Sequence, residues 1–142
     1  GVFRADNPLF SSIRLADGPL HVFDLYDLPL PVELVTLSGC GTGLGVLAGG
    51  DELLGLVRGW LFAGARSLLV SLWDVNDAST ARLMSRFYDG LRKGLRKSSA
   101  LRHAALEHRR EYPHPYHWAP FVIIGDAERP AFPVVPQPGR RK

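Results

Sequence analysis

Residues 67–72 read Ser-Leu-Leu-Val-Ser-Leu, a continuous apolar run without polar alternation. A strand with one wet face alternates, whereas a continuous run asks for cover on both faces of its sheet. A second such run, Val32-Glu33-Leu34-Val35-Thr36-Leu37, lies earlier in the chain. Between them, Leu53-Leu54-x-Leu56-Val57-x-x-Trp60-Leu61 has helical spacing, and Gly64 suits its C-terminal cap. Strand, helix, strand in that order builds a sheet between helical layers.

The remaining segments extend this pattern. Ser11-Ser12-Ile13-Arg14-Leu15 reads as a short strand before an Asp17-Gly18 turn, and Pro19 to Leu30 fits either an edge strand or a short helix. Asp77 is a good N-cap for a helix running to about Lys93, with Leu83, Met84, Phe87, Tyr88 and Leu91 as its apolar stripe. Ser98 or Ser99 opens another helix through Leu101, Ala104, Ala105 and His108, which the Pro-rich stretch from Tyr112 to Trp118 must end. Phe121-Val122-Ile123-Ile124-Gly125 is a last strand, and Trp60 and Trp118 read as core. From Glu128 the chain is Pro-rich and basic, the composition of a disordered tail. The order of elements predicts an α/β sandwich with parallel crossovers.

Cys40, the only cysteine, follows the first apolar run within Leu37-Ser38-Gly39-Cys40-Gly41-Thr42-Gly43-Leu44-Gly45. A strand that ends in a Gly-rich turn exposes side chains at its carboxyl end, where open α/β sheets place their sites. Flanking glycines let a substrate backbone approach the sulfur. The competing reading is a small buried hydrophobe, which is inert. Other chemistries fit less well. A P-loop needs Lys after its glycines, and none follows. The dinucleotide spacing puts its third glycine on Leu44 or Val46, and a nucleophile elbow wants Gly where Ser38 stands. A phosphate-binding cysteine loop wants an arginine soon after Cys40, and none precedes Arg58.

With 142 residues, 46% hydrophobic and 22% charged, the chain can bury the core of one domain. The formal charge is +3, of which +2 falls from Asp126 onward. The densest basic stretch, Arg92-Lys93-Gly94-Leu95-Arg96-Lys97, reads as a solvated helix end and connector. No basic face with interleaved aromatics indicates nucleic acid, and no apolar run spans a bilayer. One cysteine makes no internal disulfide, so a reducing cytoplasm is the simplest home.

Several separated blocks, in order, carry a resemblance. They are Phe3-Arg4-Ala5-Asp6-Asn7-Pro8-Leu9-Phe10-Ser11-Ser12, Leu37 to Gly43, and Ser71-Leu72-Trp73-Asp74-Val75-Asn76-Asp77 with Thr80. Leu83-Met84-x-x-Phe87-Tyr88, Ala100-Leu101-Arg102 and His114 to Phe121 follow. Together they resemble the CHAT family, caspase-like domains often fused to helical TPR repeats. The resemblance implies a caspase-like αβα sandwich with a mostly parallel sheet. Residues 1–126 would be the C-terminal part of a CHAT-like domain lacking its first strands, and 127–142 a Pro-rich basic tail.

By that resemblance Cys40 is the nucleophile of a cysteine peptidase. The base is the histidine of a His-Gly pair whose glycine aligns with Gly1, so it falls immediately before this chain. The backbone N–H groups of Gly1 and Cys40 would form the oxyanion hole. His21, His103, His108, His114 and His117 read as surface or packing residues, so the chain by itself is expected to be inactive. Asp74 and Asp77 follow the strand after the cysteine helix, at the same sheet edge. With Trp73 they would line the pocket for the residue before the scissile bond and select Arg or Lys. For Asp77 helix capping, and for Trp73 core packing, are the competing readings. The implied partners are a peptide or protein substrate and TPR repeats in the same or a partner chain, with no nucleic acid, membrane, cofactor or metal. The alternative function is a non-catalytic regulatory module working with the repeats.

Overall fold

The structure, a computed structural model, describes residues 4, 7–38 and 51–133. Pro8–Phe10 forms a 3-10 turn, and β1 (Ser12–Arg14) pairs antiparallel with β2 (Pro19–His21). A 3-10 turn at Phe23–Tyr26 follows, so the ambiguous stretch after Pro19 holds both a short strand and a helical turn. Then come β3 (Val35–Leu37), α1 (Asp51–Phe62), β4 (Ser67–Ser71), α2 (Asp77–Arg92), α3 (Lys97–Glu111), α4 (Pro115–Trp118) and β5 (Phe121–Gly125).

The main described sheet has the order β3-β4-β5. β3 and β4 are parallel, with Val35 opposite Leu68 and Leu37 opposite Val70. β5 is antiparallel to β4, with Ser67 opposite Gly125 and Ser71 opposite Phe121. The expected parallel crossover holds for β3 and β4 but not for β5, and the cause is how the connecting helices pack. α1, the described helix of the first crossover, carries the chain back toward the start of β4. Two long helices, α2 and α3, pack against each other as a hairpin and return the chain to the end of β4 that it left. The backbone N–H of Leu72 then donates to the Pro120 carbonyl at 2.7 Å, and β5 runs back along β4.

Every residue of β4 is buried. Leu68 and Val70 enter a cluster with Leu56, Val57 and Trp60 of α1 and with Val22 and Leu25, joined by the sheet neighbours Val35, Leu37, Val122 and Ile124. Leu69 enters a second cluster with Leu83, Phe87 and Leu91 of α2 and Ala100 and Ala104 of α3. The sheet therefore has helices on both faces, as the unbroken apolar run requires. The α2 stripe forms as read, with Leu83, Phe87 and Leu91 buried and Met84 and Tyr88 packed at its margin. Trp60 is core, whereas Trp118 is only half-buried, its indole N–H donating to the Pro113 carbonyl at 3.1 Å.

The basic connector departs from its reading. Arg92 and Arg96 are exposed, but Lys97 is fully buried. Its ammonium donates to the Asp126 carbonyl at 3.0 Å and lies 3.5 Å from Glu33 Oε2. Glu33 also meets Arg66 Nε at 3.0 Å, while Ser67 Oγ donates to the Glu33 carbonyl at 2.6 Å. Lys97 begins α3, where a cation opposes the helix dipole, and a buried charge needs a partner. Glu33 answers both demands and ties the start of α3 to the entry of β3. Past β5, Glu128 accepts from Ser98 Oγ at 2.6 Å and pairs with Arg96, so the first tail residues are held against α3. Residues 134–142 lie outside the described residues.

Gly125 ends β5 at φ +93°, and a Cβ there would sit 2.5 Å from the Arg66 carbonyl oxygen. A Gly125→Ala variant should therefore lose at least about 1–3 kcal/mol, the cost of left-handed strain in a non-glycine residue. Urea unfolding of parent and variant is the check, and an unchanged midpoint with unchanged slope would refute the argument.

Candidate functional site

The parallel register of β3 and β4 brings the carboxyl ends of two strands to one sheet edge. Leu37 and Val70 share a rung, so Trp73 lies as many residues past that rung on β4 as Cys40 does on β3. Cys40 and Gly1 lie outside the described residues, as does the Gly-rich turn from Gly39 to Gly50. The described side of the edge is the loop from Leu72 to Asn76 and the first turn of α2.

That loop carries Trp73, Asp74 and Asp77, the three residues read from the sequence as a substrate pocket. Trp73 is half-buried and packs on the α2–α3 cluster, and its indole N–H donates to the Tyr116 carbonyl at 3.1 Å. Asp74 and Asp77 are exposed residues. Val75, between them, is buried and pins the loop to the core.

Asp77 is not the helix cap. Asn76 holds the extended cap geometry, φ −78° and ψ 128°, and its Oδ1 accepts the Ser79 N–H at 3.2 Å. Both residue types cap well. The choice falls on Asn76 because Val75 must point inward, which fixes where the backbone turns helical. Asp77 is then the first helical residue, where its charge complements the dipole. Its side chain is exposed and takes no part in the cap.

Sequence reasoning missed the second layer behind this loop. Ser79 is buried, its hydroxyl donates to the Asn76 carbonyl at 3.1 Å, and His117 Nδ1 lies 3.3 Å from the same hydroxyl. α4 thus holds the loop twice, through the Tyr116 carbonyl and through His117. His114 caps α4, its Nδ1 accepting the Tyr116 N–H at 3.2 Å. His117 tilts against Tyr112, which stacks on His108 with ring centroids 4.6 Å apart. The only sequence signal was the His-Pro-Tyr-His run itself, whose partners are set by the return of the α2–α3 hairpin.

His108 is fully buried between α2 and α3. Its Nδ1 lies 2.8 Å from Arg86 Nη1, and its Nε2 is buried without a hydrogen-bond partner. Burial first, and then the Arg86 guanidinium, hold its pKa below the ordinary value near 6.5. Arg86 also pairs with Glu111, whose carboxyl is held below its usual range chiefly by that hydrogen bond. Of the other histidines, His103 is exposed beside Glu107, and His21 stacks on Phe23. Among the described residues no group of three or more His, Cys, Asp or Glu is arranged to hold a metal ion, and no helix is long and apolar enough to cross a membrane.

The CHAT domain family model matches residues 1–126. The chain belongs to the CHAT family. Its curated relatives include tetratricopeptide repeat protein 28 of Homo sapiens and of Mus musculus, each 38% identical over 108 residues. The match covers 75% of this chain and 4% of either relative, so this CHAT chain spans a small fraction of the length of the proteins it resembles. Their name carries the TPR association that the resemblance implied.

The capping assignment in this CHAT chain has a direct consequence. Asn76→Ala should cost about 1 kcal/mol, the usual loss for a polar cap. Asp77→Ala should cost well under half of that, because only a dipole contact is lost. Thermal or urea unfolding of the two variants separates them, and equal losses would return the cap to Asp77.

Proposed function

We propose that this chain is the nucleophile-bearing part of a cysteine peptidase domain of the CHAT family, built as a caspase-like αβα sandwich. The observation that supports the reading is the parallel β3–β4 register, which brings the carboxyl end of β3, three residues before Cys40 in the sequence, to the same sheet edge as the start of the Trp73–Asp77 loop. The Cys40 thiolate would attack a peptide carbonyl, the amine would leave with a proton from the base, and water would hydrolyse the thioester. The backbone N–H groups of Gly1 and Cys40 would hold the oxyanion.

The base is assigned to the family's histidine before Gly1, because the resident histidines are engaged elsewhere. His108 is buried against Arg86, and His117 faces Ser79. β3 is an edge strand among the described residues. Beside its amino end lies a cavity of about 220 Å³ lined by Glu33, Leu34, Tyr88, Leu91, Ala131 and Phe132. We assign that edge to further strands of the sandwich, whose side chains would fill the groove and whose carboxyl ends would deliver the histidine.

Asp74 and Asp77, exposed on one loop, favour a basic residue before the cleaved bond. Trp73, anchored to Tyr116, would supply the apolar wall along which an Arg or Lys stem lies. The partners are a peptide or protein substrate and TPR repeats, and the single cysteine fits a reducing cytoplasm. A second reading is supported by the relatives, which are named for their repeats. In that reading the domain is a non-catalytic module acting with the repeats it accompanies.

Fluorogenic peptides ending in Arg, Lys or a neutral residue decide between these. Residues 1–142 alone should show no turnover. A version extended upstream through the histidine should cleave, and Cys40→Ala should abolish cleavage. No turnover by a folded extended version would favour the module, and Cys40-dependent turnover by the short chain would move the base to a resident histidine. In an active version, a double Asp74→Asn, Asp77→Asn change should lower the Arg-over-neutral preference by about tenfold or more, since charge-assisted hydrogen bonds contribute roughly 1.5–3 kcal/mol each. An unchanged preference would remove both carboxylates from the pocket.

A further inference from the structure

His108 is the one fully buried histidine among the described residues, and neither capping nor the proposed chemistry uses it. It stands where three helices meet. From α2, Arg86 reaches its Nδ1 at 2.8 Å and Arg82 adds positive charge. From α3, Glu111 pairs with both arginines, and Glu107 lies 3.9 Å from Arg86. From the segment that follows, Tyr112 stacks on the ring, and His117 of α4 lies beyond Tyr112.

We propose that His108 is a proton-sensitive latch for the loop that carries Trp73, Asp74 and Asp77. A guanidinium has donors only, so Nδ1 must be the acceptor from Arg86 and Nε2 must carry the ring proton. A second proton can enter only at Nδ1, where it displaces the Arg86 hydrogen bond and puts two cations in contact. Glu111 would favour the imidazolium, but it is already held by Arg86 and Arg82. The remaining relief is for the ring to leave its niche.

Leaving costs the loop its anchors. The ring supports Tyr112, Tyr112 supports His117, and His117 meets the Ser79 hydroxyl at 3.3 Å. Tyr116, next in the chain to His117, supplies the carbonyl that holds the Trp73 indole. Acid would therefore loosen α4 and the loop together while leaving the β1–β2 hairpin on the other side of the sheet untouched. The loop would loosen in this way whether or not it binds a peptide.

The direction of the pH effect follows from linkage. A histidine whose folded pKa is depressed binds its proton more readily once released. Its contribution is complete above about 6.5 and is lost as pH falls below that value. Glu111, also depressed, keeps its contribution down to about 4.5, so a fall that begins near 6.5 is not its own.

The test is amide hydrogen exchange on the full natural polypeptide, expressed as protection factors between about pH 7.5 and about pH 5. Protection over residues 72–79 and 112–118 should fall by up to about tenfold per pH unit, the ceiling for one proton. The hairpin should hold its protection. His108→Gln keeps an acceptor for Arg86 but does not titrate, and it should flatten the response. A pH-independent loop in the parent, or an undiminished response in the variant, would overturn the proposal. Should His108→Gln not fold, ring nitrogen chemical shifts of the parent decide. A neutral Nε2–H tautomer that titrates below 6.5 sustains the latch, and one that titrates at or above it removes the latch.

Discussion

The burial of β4 is the constraint from which the rest of the structure descends. Five consecutive residues are removed from water with zero exposure, and three of them, Leu68, Leu69 and Val70, are apolar. Burying each such side chain contributes about 1.5–3 kcal/mol. That gain requires cover on both faces and pairing on both edges. α1 supplies one face, the α2–α3 hairpin the other, and β3 and β5 the edges. The two polar ends of the strand are also inside. Ser67 satisfies its hydroxyl on the Glu33 carbonyl, so the strand enters the core without an orphaned donor.

The two ends of this sheet are treated differently. At the amino end of β3, Lys97, Glu33, Arg66 and the Asp126 carbonyl form a compact polar knot that fixes α3 to the sheet. Such a knot is costly to desolvate and specifies a register more than it adds stability. At the carboxyl end, the loop after β4 is held by the buried Val75 and by hydrogen bonds to α4, with Asp74 and Asp77 at the surface.

The antiparallel return of β5 links this rim to the helical hairpin. Because the chain comes back to the carboxyl end of β4, α4 lies beside the loop rather than at the far edge. The histidines of the 108–117 stretch thereby stand behind Trp73 and Ser79, although a whole helical hairpin separates them in sequence. Charge in this region is finely balanced. Arg86 serves His108 and Glu111 together, and the loss of either partner changes what the guanidinium can do for the other.

Much of this was legible in the chain. The apolar runs, the helical stripe of α2 and the turn at Gly64 act largely through neighbours close in sequence, and elements formed within those stretches, although the run from Val32 to Leu37 is a strand only over Val35–Leu37. The block pattern from Phe3 to Phe121 was enough to place the chain in its family. Three features were not legible. Asn76 and Asp77 are equivalent as caps until the inward turn of Val75 chooses between them. Lys97 looks like a solvated connector residue until Glu33 and the Asp126 carbonyl arrive from distant segments. β5 reverses because the α2–α3 hairpin returns the chain to the end of β4 that it left. The sequence by itself determined the elements and the two-sided core, since periodicity and burial are local signals. Only the tertiary structure decided strand direction, the buried charges and what stands behind the loop, because each depends on groups that meet only once the chain has folded.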